Sequence, residues 1–560
     1  MMKSTKKFDL KAVVTVALLM VVTVSVMAQD PTQNWEGDLE DVEVVIENER
    51  ENTVPMANRN FEQIPPRPAE AISPPIRYDF QSFSFVAPQI NPQIRPLKIK
   101  AESPSKIYGG YVRAGYGNFG SPLLEGYITS RKDRDKLVGA HLYHFSSAKG
   151  PVDGKNSGSG NTTVSVFGKT FNEHVALSGS IEAENRSTHF YGYPPGTEVD
   201  RPDIRQAYNT FKIGGDISNA RNSDFRYKLG GEFSYLADKF DARESGIDLT
   251  FIAGYKTGDE SKINIDAAYN LLSRKDALVE SKARNLFTIY PSYQFSPIEN
   301  LRINLGVGIA FENDTVDSKD IHFYPNLSAS YPVSPSVDLL ASLKGGIEKV
   351  SLQTLSHENI WIMPNAELHH LNKSFDFTVA INARLGNKVG ANAGLSLAVM
   401  RNMHFFENWA DDPSKFMVDY EYDFFRRTNL YASLSYAQSE AVKLMLRGDV
   451  FAYGRDEDSS EPWHLPTYKL NANASFAVAK KILLNFDIIG QGGMKAYDPT
   501  TTETVKLDGA MDLNAKVEYL FSDSFSIFLQ FNNIVGNEYP VFYNYPVRGF
   551  QFLGGISWSF

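Results

Sequence analysis

The chain of 560 residues has no cysteine. That excludes disulfides and thiolate metal sites, and it excludes lipid attachment through a cysteine after a leader. Basic residues are outnumbered: 56 Lys and Arg against 66 Asp and Glu leave a net charge of −10. Nothing in this balance points to nucleic acid as a partner. Long hydrophobic runs are absent after residue 28, and mean hydropathy is mildly polar. What the chain does have is aromatic residues, at 12%, within an ordinary 42% apolar content.

The first residues set a route. Lys3, Lys6, Lys7 and Lys11 precede the apolar stretch 12–26, and Val26 and Ala28 stand as the small residues of a cleavage site. The pattern predicts a secretory signal over 1–28, cut after Ala28. The apolar stretch is short for a span of about 20 residues.

Residues 29–105 read as an extended, proline-rich arm with little capacity for helix or central strand. An acidic stretch, EGDLEDVEVVIENERE, surrounds an apolar kernel of Val42, Val44, Val45 and Ile46. With Phe61, this kernel is a candidate for docking a partner by strand addition.

From about residue 106 to 560 the sequence alternates with a period of two, the strand signature. In LRINLGVGIAFE, Leu301, Ile303, Leu305, Val307, Ile309 and Phe311 share one face, and Arg302, Asn304 and Glu312 share the other. KILLNFDII sets Ile482, Leu484, Phe486 and Ile488 against Asn485 and Asp487. The chain ends FQFLGGISWSF, with Phe550, Phe552, Ile556, Trp558 and Phe560 on one face. Connections also alternate, between short turns such as SPIE and GNK and long polar loops such as SSAKGPVDGKNSGSGN. Many strands run to about 10–14 residues, enough to cross a bilayer when tilted. Together these features predict an all-β fold, a transmembrane antiparallel up-and-down β-barrel of about 22 strands. Short turns are expected in the periplasm and long loops outside. The last strands are expected to start near 504, 525 and 545. The segment FMVDYEYDF, at 416–424, is expected to sit in a long external hairpin, because a wall strand there would break the even count. A lipid-exposed edge cannot stay unpaired, so the last strand must close on the first.

Aromatic residues near strand ends are expected in the interfacial girdles: Tyr108, Tyr116, Tyr143, Tyr290, Tyr293, Tyr324, Tyr331, Tyr497 and Phe521. No catalytic grouping stands out, and no cofactor or metal is expected. His141 and His144 have opposite strand parity, and His369 and His370 diverge if extended. The cluster Asp456, Glu457, Asp458 and Glu461 lacks the spacing and turn glycine of an EF-hand and reads as a solvated acidic loop.

Near the end, Asn533, Ile534, Asn537, Glu538 and Tyr539 stand as NIVGNEY, followed by Pro546, Arg548, Gly549 and Phe550 in PVRGF. This order, with WHLP at 463–466 and the segment from Trp361, resembles the late strands of TonB-dependent receptors. The resemblance implies an outer-membrane barrel that passes or binds a solute. It makes the terminal rings a signal for the outer-membrane assembly machinery and the kernel a box for a TonB-like or periplasmic partner. The sequence departs from that family in one respect: residues 29–105 do not read as a plug domain. A barrel this wide needs its lumen filled or gated. The alternative reading is a non-transport scaffold that docks partners through its arm.

Overall fold

The computed structural model describes residues 108–130, 135–221, 223–314, 320–439, 441–454 and 461–560. The signal, the arm and its candidate residues Val42, Val44, Val45, Ile46 and Phe61 lie outside the described residues. The described chain forms a 22-stranded antiparallel sheet closed on itself, from Gly110–Gly117 to Gln551–Ser559. The last strand pairs back on the first, with Tyr111 opposite Ser559 and Gly117 opposite Leu553. Among the described residues, no helix is long and apolar enough to cross a membrane.

Alternation places the side chains. Along Leu301–Glu312, Leu305, Val307 and Phe311 are exposed on the outer face. Arg302 and Asn304 line a cleft on the inner wall. The outer band is apolar because lipid surrounds it, and the inner wall is polar because it encloses water.

The two rims differ. One carries tight turns, such as those at 259–260, 299–300 and 335–336. The other carries long connections at 190–204, 349–370, 402–424 and 533–550. In the connection 402–424, Met403–Asn408 pairs with Phe416–Glu421 in its own two-stranded sheet. FMVDYEYDF is therefore a loop hairpin and not a wall strand, which preserves the even count. Two wall strands begin later than the alternation suggested, at Ala510 and Gln551. The segments before them are also extended, but they pair above the wall: Lys495–Asp498 with Glu503–Lys506, and Pro540–Phe542 with Tyr545–Pro546. Period-two patterning marks an extended chain and does not say which sheet receives it.

The aromatic girdle holds for Tyr116, Tyr293, Tyr331 and Phe521, which are exposed. It fails for four others. Tyr324 is buried and donates to Asn372 Oδ1 at 3.0 Å. Tyr290 lies over Gly308 and Gly346. Tyr143 packs on the buried cluster of Leu123, Phe528 and Leu553. Tyr497 packs against the loop core. These rings sit inside because their parity is that of the inner wall, or because they belong to a loop.

Candidate functional site

The long-loop mouth holds the largest apolar core among the described residues. Tyr191, Trp361, Phe406, Phe416, Phe542 and Tyr545 come from four of the long connections and converge there. Trp361 and Tyr545 rings lie 4.2 Å apart, Tyr191 and Tyr545 4.7 Å, and Phe416 and Phe542 5.3 Å. Tyr545 is fully buried, and its hydroxyl donates to the Ser414 carbonyl. Such tilted and edge-on aromatic pairs each add to the area they bury.

The loops meet across the opening. Lys415, after the fifteenth strand of the ring, lies 5.3 Å over the Phe190 ring, after the fifth. It also lies 5.7 Å over Phe240, after the seventh. These contacts join nearly opposite sides of the wall, so the loops form a cap.

Inward charged residues at the strand ends anchor the connection 349–370. Arg284 donates through Nε and Nη2 to Asp314 at 2.8 and 2.7 Å, and through Nη1 to the Val350 carbonyl at 3.0 Å. His370 Nδ1 accepts from Val350 N at 3.1 Å and from Arg284 at 3.0 Å, which makes it a neutral ring protonated on Nε2. Glu244 accepts from the amides of Leu352 and Gln353 at 2.7 and 3.0 Å, at the start of the short helix Leu352–Glu358. Arg186 donates to the Ser356 carbonyl and hydroxyl at 2.9 and 2.8 Å. Lys349 reaches Asp248 at 2.6 Å. Apart from the bond between Val350 N and the neutral His370 ring, each of these contacts is charge-assisted, the strong kind of hydrogen bond.

The motif read near the C-terminus is part of the same mouth. Asn533 is buried, and its Nδ2 donates to the Asn537 and Arg548 carbonyls at 2.8 and 2.9 Å. Tyr539 donates to Asp512 Oδ2 at 3.0 Å, and Arg548 donates to Ser159 Oγ at 2.6 Å. The Pro546 carbonyl accepts from Tyr191 at 3.3 Å. Gly549 lies against the Glu538 side chain. Ile534 is exposed. The motif thus folds one long loop back onto the wall. Phe550, Phe552, Ile556, Trp558 and Phe560 are 38–53% exposed on the outer face.

Below the cap the inner wall is polar. One cleft of about 500 Å³ is lined by Gln294, Arg302, Asn304, Asn382, Asn392 and Tyr431. A second, of about 530 Å³, presents Arg226, Lys228, Lys262 and Lys344 with Asp266. Asp487 accepts from Asn473, and Asn485 Oδ1 accepts from Ser475 at 2.9 Å. Glu312 keeps the inward parity of Arg302 and Asn304, but it is buried and pairs with His322 at 3.2 Å. His141 sits by Glu125 at 3.7 Å on the inner wall, while His144 bonds Thr162 at 2.8 Å on the other face. His369 stacks edge-on to Tyr420 at 5.0 Å, apart from His370. Glu461 pairs with Lys495 at 3.1 Å; the other acids of its cluster lie outside the described residues. No group of metal-binding side chains occurs among the described residues.

The residues that hold the cap, Arg186, Glu244 and Arg284, do not announce themselves in sequence. Their only signal is a charge of inward parity at the mouth end of a strand.

No protein-family model matches this chain, and no curated protein does. Solved structures do. The siderophore receptor PirA from Acinetobacter baumannii superposes with a TM-score of 0.63 over 80% of each chain at 9% identity. The FrpB iron transporter from Neisseria meningitidis gives 0.63 over 82% of each chain at 8% identity. P. aeruginosa FpvA, bound to heterologous pyoverdines, gives 0.61 over 82% of this chain and 72% of its own at 11% identity. At such identities the similarity establishes the fold. The chain has the wide barrel fold of siderophore and iron receptors.

Acid is expected to loosen the cap. Burial and the neighbouring Arg284 push His370 down to about 3, and burial pushes His464 down to about 4. A free histidine titrates near 6.5. As pH falls from about 6.5 toward 4, the opened loops take up protons that the closed cap refuses. Stability is thus full above that window and declines through it, by about 1.4 kcal/mol per pH unit per histidine. Asp314, held low by Arg284 and His370, adds a loss of the same sign below its ordinary carboxylate range. Amide exchange in 349–370 and 461–467, corrected for its intrinsic rate, should quicken between pH 7 and pH 4. Constant protection over that range would exclude this account.

Proposed function

We propose that this chain is a transport-type outer-membrane barrel that binds or passes a solute, gated by its own loops rather than by a separate plug domain. The long loops face the outside and the short turns face the periplasm. The observation that carries this reading is the cap itself: an apolar core anchored to wall charges, standing over a polar wall whose clefts no described side chain fills. A pure scaffold has no need of a hydrated path beneath a closed mouth. Every regular element among the described residues belongs to the wall or to a long-rim loop. The fold shared with siderophore and iron receptors supports the same reading. In this account the terminal rings serve recognition by the assembly machinery. The kernel Val42, Val44, Val45 and Ile46, with Phe61, meets a TonB-like or periplasmic partner.

The test is conductance in a planar bilayer. The intact mature protein is compared with one in which residues 403–421, the cap hairpin, are replaced by a short flexible linker. The intact barrel is expected to pass little current, and the uncapped one large steady steps. Equal currents in the two would remove the loops as the gate.

A further inference from the structure

The outer face of the barrel carries a built basic cleft at the long-loop rim. Its cations are Arg201, Arg205 and Lys239, set around His189, and no acidic side chain lines it. Arg205 stands directly opposite His189 in the ladder between Val175–His189 and Arg205–Asn219. Arg201 Nε donates to the Lys155 carbonyl at 3.0 Å, and Lys239 Nζ donates to the Pro202 carbonyl. His189 Nδ1 donates to the Gly158 carbonyl at 2.7 Å, and the ring is buried. Segments from several elements thus converge, and about 400 Å³ of space lies between them. That is room for a sugar phosphate rather than a single ion.

The position of the cleft is informative. Ladder partners alternate between the two faces, so every second pair shares a column. In the outward column, Ile181 pairs with Ile213 and Ala183 with Phe211; these are the apolar, lipid-facing pairs. Next comes Asn185 with Asn209, joined at 2.7 Å, then Ser187 with Ala207, then His189 with Arg205. The column passes from apolar to amide to cation in order. Asn185 and His189 stand four positions apart along the strand. At about 3.3 Å per residue and a tilt near 45°, that is roughly 9 Å of height above the first polar pair. Long basic side chains can bridge part of that distance. The cations therefore stand at headgroup level, on the surface that faces the membrane and not the lumen.

We propose that this cleft binds the phosphate of a sugar-phosphate lipid headgroup in the outer leaflet. Arginine guanidinium groups suit the planar, bidentate recognition of phosphate oxygens, and lysine adds a mobile charge. The inference rests on the long-loop rim facing outward, as proposed above. It does not depend on whether the barrel conducts.

The test uses the intact mature protein, purified in neutral detergent, delipidated, and studied by native mass spectrometry. The probes are a phosphorylated diglucosamine lipid, its dephosphorylated analogue, and inorganic phosphate. The variant combines Arg201→Gln, Arg205→Gln and Lys239→Gln. These side chains are exposed, and heat-modifiable migration on a gel verifies the barrel. A single Arg205→Gln change provides a milder second variant. The wild type should retain the phosphorylated lipid about a hundredfold better than the triple variant, the loss expected for three surface cations. The dephosphorylated lipid should not distinguish the two proteins. Inorganic phosphate should displace the lipid only at large excess. Equal retention of the phosphorylated lipid by wild type and variant would overturn the site. Displacement by equimolar phosphate would overturn the lipid as its source.

Discussion

A chain ending at residue 550 is expected not to form the barrel. Refolded into detergent micelles, it should lose heat-modifiable migration entirely, whereas the intact mature chain keeps it. The removed strand Gln551–Ser559 pairs with Phe525–Asn532 on one side and with Gly110–Gly117 on the other. Its loss would leave two strand edges facing lipid, where each unpaired amide or carbonyl costs several kcal/mol. Side chains at the seam depend on it too. Gly115 faces Gly555, and the space above that pair is filled by the Phe528 ring. Arg113 lies 4.3 Å over the same ring. A milder change separates closure from recognition. Trp558→Ala with Phe560→Ala removes two outward rings and keeps every backbone pair. This variant should refold in micelles and yet fall in abundance in the outer membrane of cells. Normal abundance in cells would argue against these rings as an assembly signal.

Arg284→Met is expected to free the connection 349–370 while leaving the wall intact. Arg284 and Asp314 are both buried, and Arg284 bonds to Asp314, Val350 and His370 at once. Removing one member of a buried pair leaves an uncompensated charge and costs about 3–5 kcal/mol. Amide exchange in 349–370 should quicken, with heat-modifiable migration unchanged, because the strand ladder does not depend on this side chain. The double change Arg284→Met with Asp314→Leu should recover much of the protection, since an apolar replacement of the whole pair leaves no stranded charge. If the single variant protected the loop as well as the wild type, the pair would not be the anchor.

Some of this organisation was legible residue by residue. Leu301–Glu312 has its faces where alternation put them, because a strand between lipid and water leaves no other choice. The hairpin around Phe416 was readable from the parity of the count. Tyr290 and Tyr324 were misassigned to the girdle, because an aromatic ring near a strand end suits the interface as well as the inner wall, and only parity relative to neighbours decides.

Period-two alternation, strand length and the sorting of turns were enough to define the class, because together they admit one closed membrane barrel. Those features are local, set by the backbone pleat and by the two solvents on either side of the wall. The cap over the mouth, and the residues that make it, emerge only in the folded protein. Trp361 meets Tyr545, and Lys415 meets Phe190, across the width of the barrel. Such contacts join residues far apart in the chain, through loops whose conformations no periodicity encodes. They exist because closing the ring brings loops from opposite walls to one opening, where their rings bury one another from water.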